Sequence, residues 1–192
     1  MLPLEIRCDK SLLRPWRKSD RGSLIEYAND REVWRNLRDI FPHPYTEAEA
    51  DQFLAFSAAD PPPAGVYAIE VDGEAVGCIA LEQGRDIERW SWEVGYWLGQ
   101  PFWGRGIVPE ALEAVTAAAF RIPELIRIYA PVFSWNQRSM RVLEKAGYSR
   151  EAVMRRSGIK DGTVIDRVIY ARVRDTGLPY SPFPSPSPSS SQ

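Results

Sequence analysis

Few side chains in this sequence stand where local structure alone would aim them at chemistry. Glu93 lies in the run Arg89 to Leu98, between Trp92 and Val94. Strand alternation puts Trp90, Trp92, Val94, Tyr96 and Leu98 on one face, and Ser91, Glu93, Gly95, Trp97 and Gly99 on the other. In a central strand, burial raises a glutamate's pKa from about 4.3 and makes it a better proton acceptor. On an edge strand the same residue is an ordinary solvated carboxylate. Asn136 and Ser139 form a second pair, three residues apart at the mouth of a helix. Asn136 suits the cap and Ser139 the first turn, and that spacing presents both side chains at the mouth. Tyr148 follows the helix stop at Gly147, a position that suits a core group.

A third feature is the segment Trp103-Gly104-Arg105-Gly106-Ile107, where a strand hands over to a helix. Glycines let a backbone approach a ligand closely, and the free N–H groups of a first helical turn favour an anion. Arg105 adds a charge. Pro109 has no N–H, so the donors come from residues 104–108. The segment reads as a phosphate cradle or as an ordinary tight turn. It matches neither GxGxxG nor GxxxxGK followed by Ser or Thr, so no dinucleotide fingerprint or P-loop follows.

Composition excludes other chemistry. The chain has 192 residues, a formal net charge of -2, two cysteines (Cys8 and Cys78) and one histidine (His43). No basic excess points to nucleic acid. No disulfide framework or Cys/His metal site is expected, and a His-based triad would rest on His43 alone. The first residues lack a signal-peptide core and no run is long enough to span a membrane, so the expectation is a cytoplasmic protein with reduced thiols. Residues 1–176 read as one domain. Residues 177–192, with five Pro, six Ser and no charge, read as a Pro/Ser-rich flexible tail.

The elements follow from pattern. Leu12 to Trp16 suits a strand ended by Pro15. Ser19-Asp20 would cap a helix through Ala28, and Asp30 another through Leu37. Thr46-Glu47-Ala48-Glu49 resembles a capping box, with Pro61-Pro62-Pro63 stopping its helix. Val66 to Val71 and Ala75 to Leu81 flank Asp72-Gly73, a hairpin turn. Gly106 to Arg121 and Asn136 to Ala146 are helices around a strand at Ile126 to Phe133. Strands at Tyr148 to Met154 and Val164 to Val173 flank Lys160-Asp161-Gly162. The order is β, helices, β-β-β, α, β, α, β-β. It describes a mixed α/β, three-layer, mostly antiparallel sheet of about seven strands. Pro131 cannot donate to a ladder. A strand carrying Glu93 that parts from one carrying Pro131 leaves a wedge that an extended amide-bearing ligand could enter.

These pieces resemble the GNAT superfamily of acetyl-CoA-dependent N-acetyltransferases, most nearly its ribosomal-protein N-terminal (alanine/serine) acetyltransferase branch. The residues that carry the resemblance are Leu13-Arg14-Pro15-Trp16, Trp92 to Leu98, Trp103-Gly104-Arg105-Gly106 with Glu110-Ala111-Leu112, and Asn136 to Ser139 running into Val142 to Tyr148. It implies a GNAT-type fold and acetyl-CoA as co-substrate, with its diphosphate on the backbone of Gly104 to Ile107 beside Trp103. The pantetheine arm would lie along Tyr96, Trp97 and Leu98, with Asn136 bonding it or ordering the site. Where the family shows Gln or Arg three residues before its first Gly, this chain has Pro101. The resemblance makes Glu93 the base, working through water, and Ser139 the acid for the leaving sulfur, with Tyr148 the alternative. The implied acceptor is a protein N-terminal amine. A small-molecule amine and a non-catalytic acyl-CoA module are the rivals, and a homodimer stays open. Near pH 7 roughly a tenth of an α-amino group is neutral, against less than about one part in a thousand for lysine, so a modest base suits the former.

Overall fold

The computed structural model describes residues 2–59, 65–175, 177 and 179–181. An eight-stranded sheet runs through it: β1 (Ile6–Arg7), β2 (Leu12–Arg14), β3 (Val66–Val71), β4 (Glu74–Glu82), β5 (Ser91–Leu98), β6 (Arg127–Phe133), β7 (Ser149–Lys160) and β8 (Thr163–Val173). Their order is β1-β2-β3-β4-β5-β6-β8-β7, and every neighbouring pair is antiparallel except β5 with β6. The helices are α1 (Arg21–Ala28), α2 (Arg31–Trp34), α3 (Glu47–Ser57), α4 (Ile107–Ala119) and α5 (Gln137–Lys145). Among the described residues no helix is long and apolar enough to cross a membrane. The Pro61-Pro62-Pro63 stop lies outside the described residues, as does most of the 177–192 tail.

Two apolar layers sandwich the sheet. On one face, Ile107, Ala111, Leu112 and Val115 of α4 and Leu143 of α5 bury against Val94, Leu98, Ile128 and Val132. This is the helical spacing expected of a helix that covers a sheet. On the other, Leu24 and Ala28 of α1 with Ala50 and Leu54 of α3 close over Trp16, Ala68, Ala75 and Cys78. The hairpin turn takes the form the sequence implies: Asp72 and Gly73 both have positive φ and join Val71 to Glu74 in register.

Local signals fail at three places. The short strand β1 carries no alternation and was not expected. The helix after Asp30 is a single turn, Arg31–Trp34, continued only by two looser turn bonds, Asn36 N–H to Val33 and Leu37 N–H to Trp34. Asp20 does not cap α1 through its side chain. Its carboxylate instead accepts both Nη atoms of the buried Arg14, at 2.7 and 2.9 Å, and the Arg17 N–H at 2.8 Å. Glu70 takes the Arg14 Nε. A buried guanidinium outbids a helix end for the one carboxylate in reach, because an unpaired buried charge costs more than a lost cap. Asp20→Ala should therefore lower the unfolding free energy by about 3 kcal/mol, measured by urea denaturation. A change no larger than that of an exposed cap, about 1 kcal/mol, would contradict this account.

Candidate active site

The site begins where two strands part. The Gly99 N–H donates to Val76, so the odd-numbered residues of β5 carry the ladder to β4 and the even-numbered ones face β6. That second ladder covers Ser91↔Arg127, Trp92↔Ile128 and Glu93↔Tyr129, then stops. Beyond it the C=O of Val94, the N–H and C=O of Tyr96 and the N–H of Leu98 face a gap. On β6, Ser134 N–H to Asp166 and Arg174 N–H to Ile126 assign the even-numbered residues to β8. Pro131 thus turns its nitrogen to the gap, where a residue without an N–H orphans no donor. The carbonyl of Leu98 is taken by Trp103 Nε1 at 2.7 Å, so Tyr96 is the residue there whose N–H and C=O both lack a strand partner.

Glu93 sits at the fork. Its side chain is 22% exposed, with an Arg38 Nη1 at 3.8 Å. Glu82 is its direct partner across β4 and β5, a like-charge pairing that a sheet disfavours. Burial, the largest influence, raises the Glu93 pKa above the ordinary carboxylate value. Arg38 pulls it down, Glu82 pushes it up, and Arg167 and the Tyr129 hydroxyl pull it down.

Across the gap, the Tyr96 hydroxyl lies 2.8 Å from Ser139 Oγ. Asn136 Oδ1 accepts the Ser139 N–H at 3.1 Å, so the helix cap fixes the serine. Burial pushes the Tyr96 phenol up. Tyr148 is placed differently. Its hydroxyl meets Thr116 Oγ1 of α4 at 2.6 Å, and burial pushes its pKa up to about 12. It hydrogen-bonds to α4, not to Ser139.

At the far end, Gly104 and Gly106 have φ of +79° and +77°, and Gly106 opens α4. The N–H groups of residues 104–106 meet no backbone acceptor among the described residues. Those of Ile107 and Val108 lie in a first turn, where no intrahelical acceptor exists. A Cβ on Gly104 would touch nothing within 4 Å, so the loop is open on that side. Arg105 stacks on Phe102 at 5.0 Å and Arg138 on Trp103 at 4.9 Å. Trp97 points to the opposite face, against Phe41 at 5.8 Å.

The structure thus joins Tyr96, Asn136 and Ser139 on the α4/α5 face of the parting, while Glu93, three residues earlier on β5, turns to the other face with Arg38, and Tyr148 bonds to α4. Sequence reading missed Arg38, Tyr129 and Lys10. No periodicity flags them, since each arrives from an element far along the chain. The loop carrying Arg38 is tied down by Trp135 Nε1 to Asn36 at 3.1 Å, and by the buried Lys160 to Asp39 at 2.8 Å. His43, the single histidine, stacks on Trp34 with ring centroids 5.3 Å apart.

Residues 10–149 match the family described as Acetyltransferase (GNAT) domain. The chain belongs to the GNAT acetyltransferase family. It is 40% identical over 78 residues to the Bacillus subtilis (strain 168) protein named "Probable N-acetyltransferase YjcK", covering 41% of this chain and 43% of that protein. It is 26% identical over 113 residues to the ribosomal-protein-serine acetyltransferase of Escherichia coli (strain K12), covering 59% and 63%. Mycobacterium smegmatis RimJ, solved in complex with CoA-disulfide, superposes with a TM-score of 0.75 at 25% identity, covering 92% of this chain and 88% of that one. The GNAT chain spans about half the length of the curated relatives it matches (43%, 46% and 56% for three Bacillus subtilis proteins).

The electrostatics of Glu93 can be tested without turnover. In a carboxyl-carbon NMR titration, Arg38→Ala should move the Glu93 midpoint up, and Glu82→Gln should move it down. Shifts of the opposite sign would refute the arrangement described here.

Proposed function

We propose that this GNAT-family chain moves the acetyl group of acetyl-CoA to a primary amine, and that its acceptor is a protein N-terminal α-amino group. The carrying observation is the main-chain N–H and C=O of Tyr96, left without a strand partner where the β5–β6 ladder ends at Glu93, with Ser139 on the Tyr96 hydroxyl. An extended chain with amide groups, such as a pantetheine arm, can pair with that edge as a strand would. The donor-rich loop at Gly104–Ile107, open above Gly104, fits a diphosphate.

Glu93 takes a proton from the incoming ammonium, directly or through water, and so frees the nitrogen lone pair that attacks. The Tyr96 N–H stabilises the oxyanion as the amine adds to the thioester carbonyl. Ser139 Oγ, aligned by the Asn136 cap and the Tyr96 hydroxyl, gives a proton to the leaving sulfur. The bond from Tyr148 to Thr116 favours a packing role for that tyrosine. An elevated Glu93 pKa makes a base strong enough for an α-amino group, which loses its proton near pH 8, and poor for lysine. The likeness to proteins named for ribosomal-protein acetylation supports the same acceptor.

Free-CoA release is the assay, run over N-terminal peptides, lysine-containing peptides blocked at the N-terminus, and small amines. Turnover should favour free N-termini. Glu93→Gln should cost about 10²-fold or more in kcat, and Ser139→Ala should also lower it. Because the base works only as a carboxylate, the rate should rise with pH through a Glu93 step above the usual carboxylate range. Glu93→Gln should abolish that step and leave the amine's own ionisation. Unchanged turnover in both variants would overturn the site assignment, and a preference for small amines would overturn the acceptor.

A further inference from the structure

The loop at the start of α4 gathers three cations and backbone donors that meet no backbone acceptor among the described residues. Lys10 Nζ lies 2.8 Å from the position a Cβ on Gly106 would occupy. It comes from the turn between β1 and β2, closed by the Cys8 N–H to Ser11 at 2.9 Å. The Asp9 N–H donates to Glu110 Oε1, which hooks that turn onto the first turn of α4 and holds Lys10 in place. Arg105 and Arg138 stand at the same loop on their aromatic rings. Among the described residues none of these three cations makes an ion pair or a side-chain hydrogen bond. Glu110 Oε1 takes the Asp9 N–H, and its Oε2 is buried with no hydrogen-bond partner among the described residues. A cation beside the positive end of a helix is unfavourable unless an anion lies between them. Pro101, on the same loop, offers neither an N–H nor a polar side chain.

We infer that Lys10 is a ligand-binding residue of this site, supplying from the N-terminal hairpin the side-chain charge for the diphosphate of CoA. The assignment rests on the acetyl-CoA reading above. Lys10 spans the anion from the side opposite the Gly104–Ile107 amides, and Asp9 and Glu110 position it. It takes no part in proton transfer.

Calorimetric binding of CoA needs no acceptor and no turnover. Lys10→Met keeps the aliphatic stem and removes the charge. It should weaken CoA about tenfold, the size of one charge-assisted contact at an exposed site. Inorganic diphosphate should compete with CoA on the unaltered protein and lose that effect in Lys10→Met. KM for acetyl-CoA should rise in step with kcat unchanged, while KM for acetyl-pantetheine, which lacks the diphosphate, should not move. Lys10→Arg should restore CoA binding to within about twofold of the original. The thermal midpoint without ligand should be unaltered, because the side chain is exposed. Equal CoA affinity in Lys10→Met, or an equal loss for CoA and acetyl-pantetheine, overturns the assignment of Lys10 alone. Failure of the unaltered protein to bind CoA overturns the acetyl-CoA reading and this inference with it.

Discussion

The parallel ladder between β5 and β6 ends at Glu93↔Tyr129, and the rest of the site depends on that ending. Main-chain N–H and C=O groups inside a protein are almost always paired, so a mid-sheet strand that abandons its neighbour is costly unless something compensates. Two features limit the cost. Pro131 has no N–H to strand in the gap. Trp103 satisfies the Leu98 carbonyl. What remains is the Val94 C=O, the Tyr96 N–H and C=O and the Leu98 N–H, facing the parting of the two strands.

Charge is distributed unevenly along this parting. At the fork, Glu93 and Glu82 oppose one another and are tempered by Arg38, whose ion pairs are long and exposed. Pairs of that kind are worth little, so Arg38 is held only weakly at the fork. At the other end, backbone donors and unpaired cations surround the start of α4. A ligand that is anionic at one end and carries a reactive acyl group at the other matches this polarity, with the amine arriving from the acidic side. The buried Arg14, shared by Asp20 and Glu70, stands away from this chemistry and fixes the path from β2 to α1.

Much of this frame was legible because it follows local rules. Asp72-Gly73 demands a tight hairpin, the apolar spacing of α4 demands a sheet beneath it, and Asn136 caps α5 as its type suggests. Strand alternation placed Glu93 and Tyr96 on opposite faces, and Pro131 marked the parting. Reading failed where tertiary contacts decide. β7 runs through Arg155 and Arg156 to Lys160, because a register shift between Met154 and Gly158, with Arg156 at φ +51°, breaks the alternation that would reveal it. Asp20 looked like a cap until Arg14 was placed beside it. Lys10 and Arg38 lie on irregular segments, and nothing in their neighbours' pattern says that one hangs over Gly106 and the other over Glu93.

The central claim is that the Tyr96 edge of β5 awaits a partner strand supplied by the ligand. Amide hydrogen exchange resolved to single residues, with and without CoA, tests it most directly. The account predicts that the Tyr96 and Leu98 amides exchange fast in the free protein and slow markedly with CoA, while Trp97, already bonded to β4, changes little. Equal exchange at Tyr96 in both states, with CoA demonstrably bound, would contradict it.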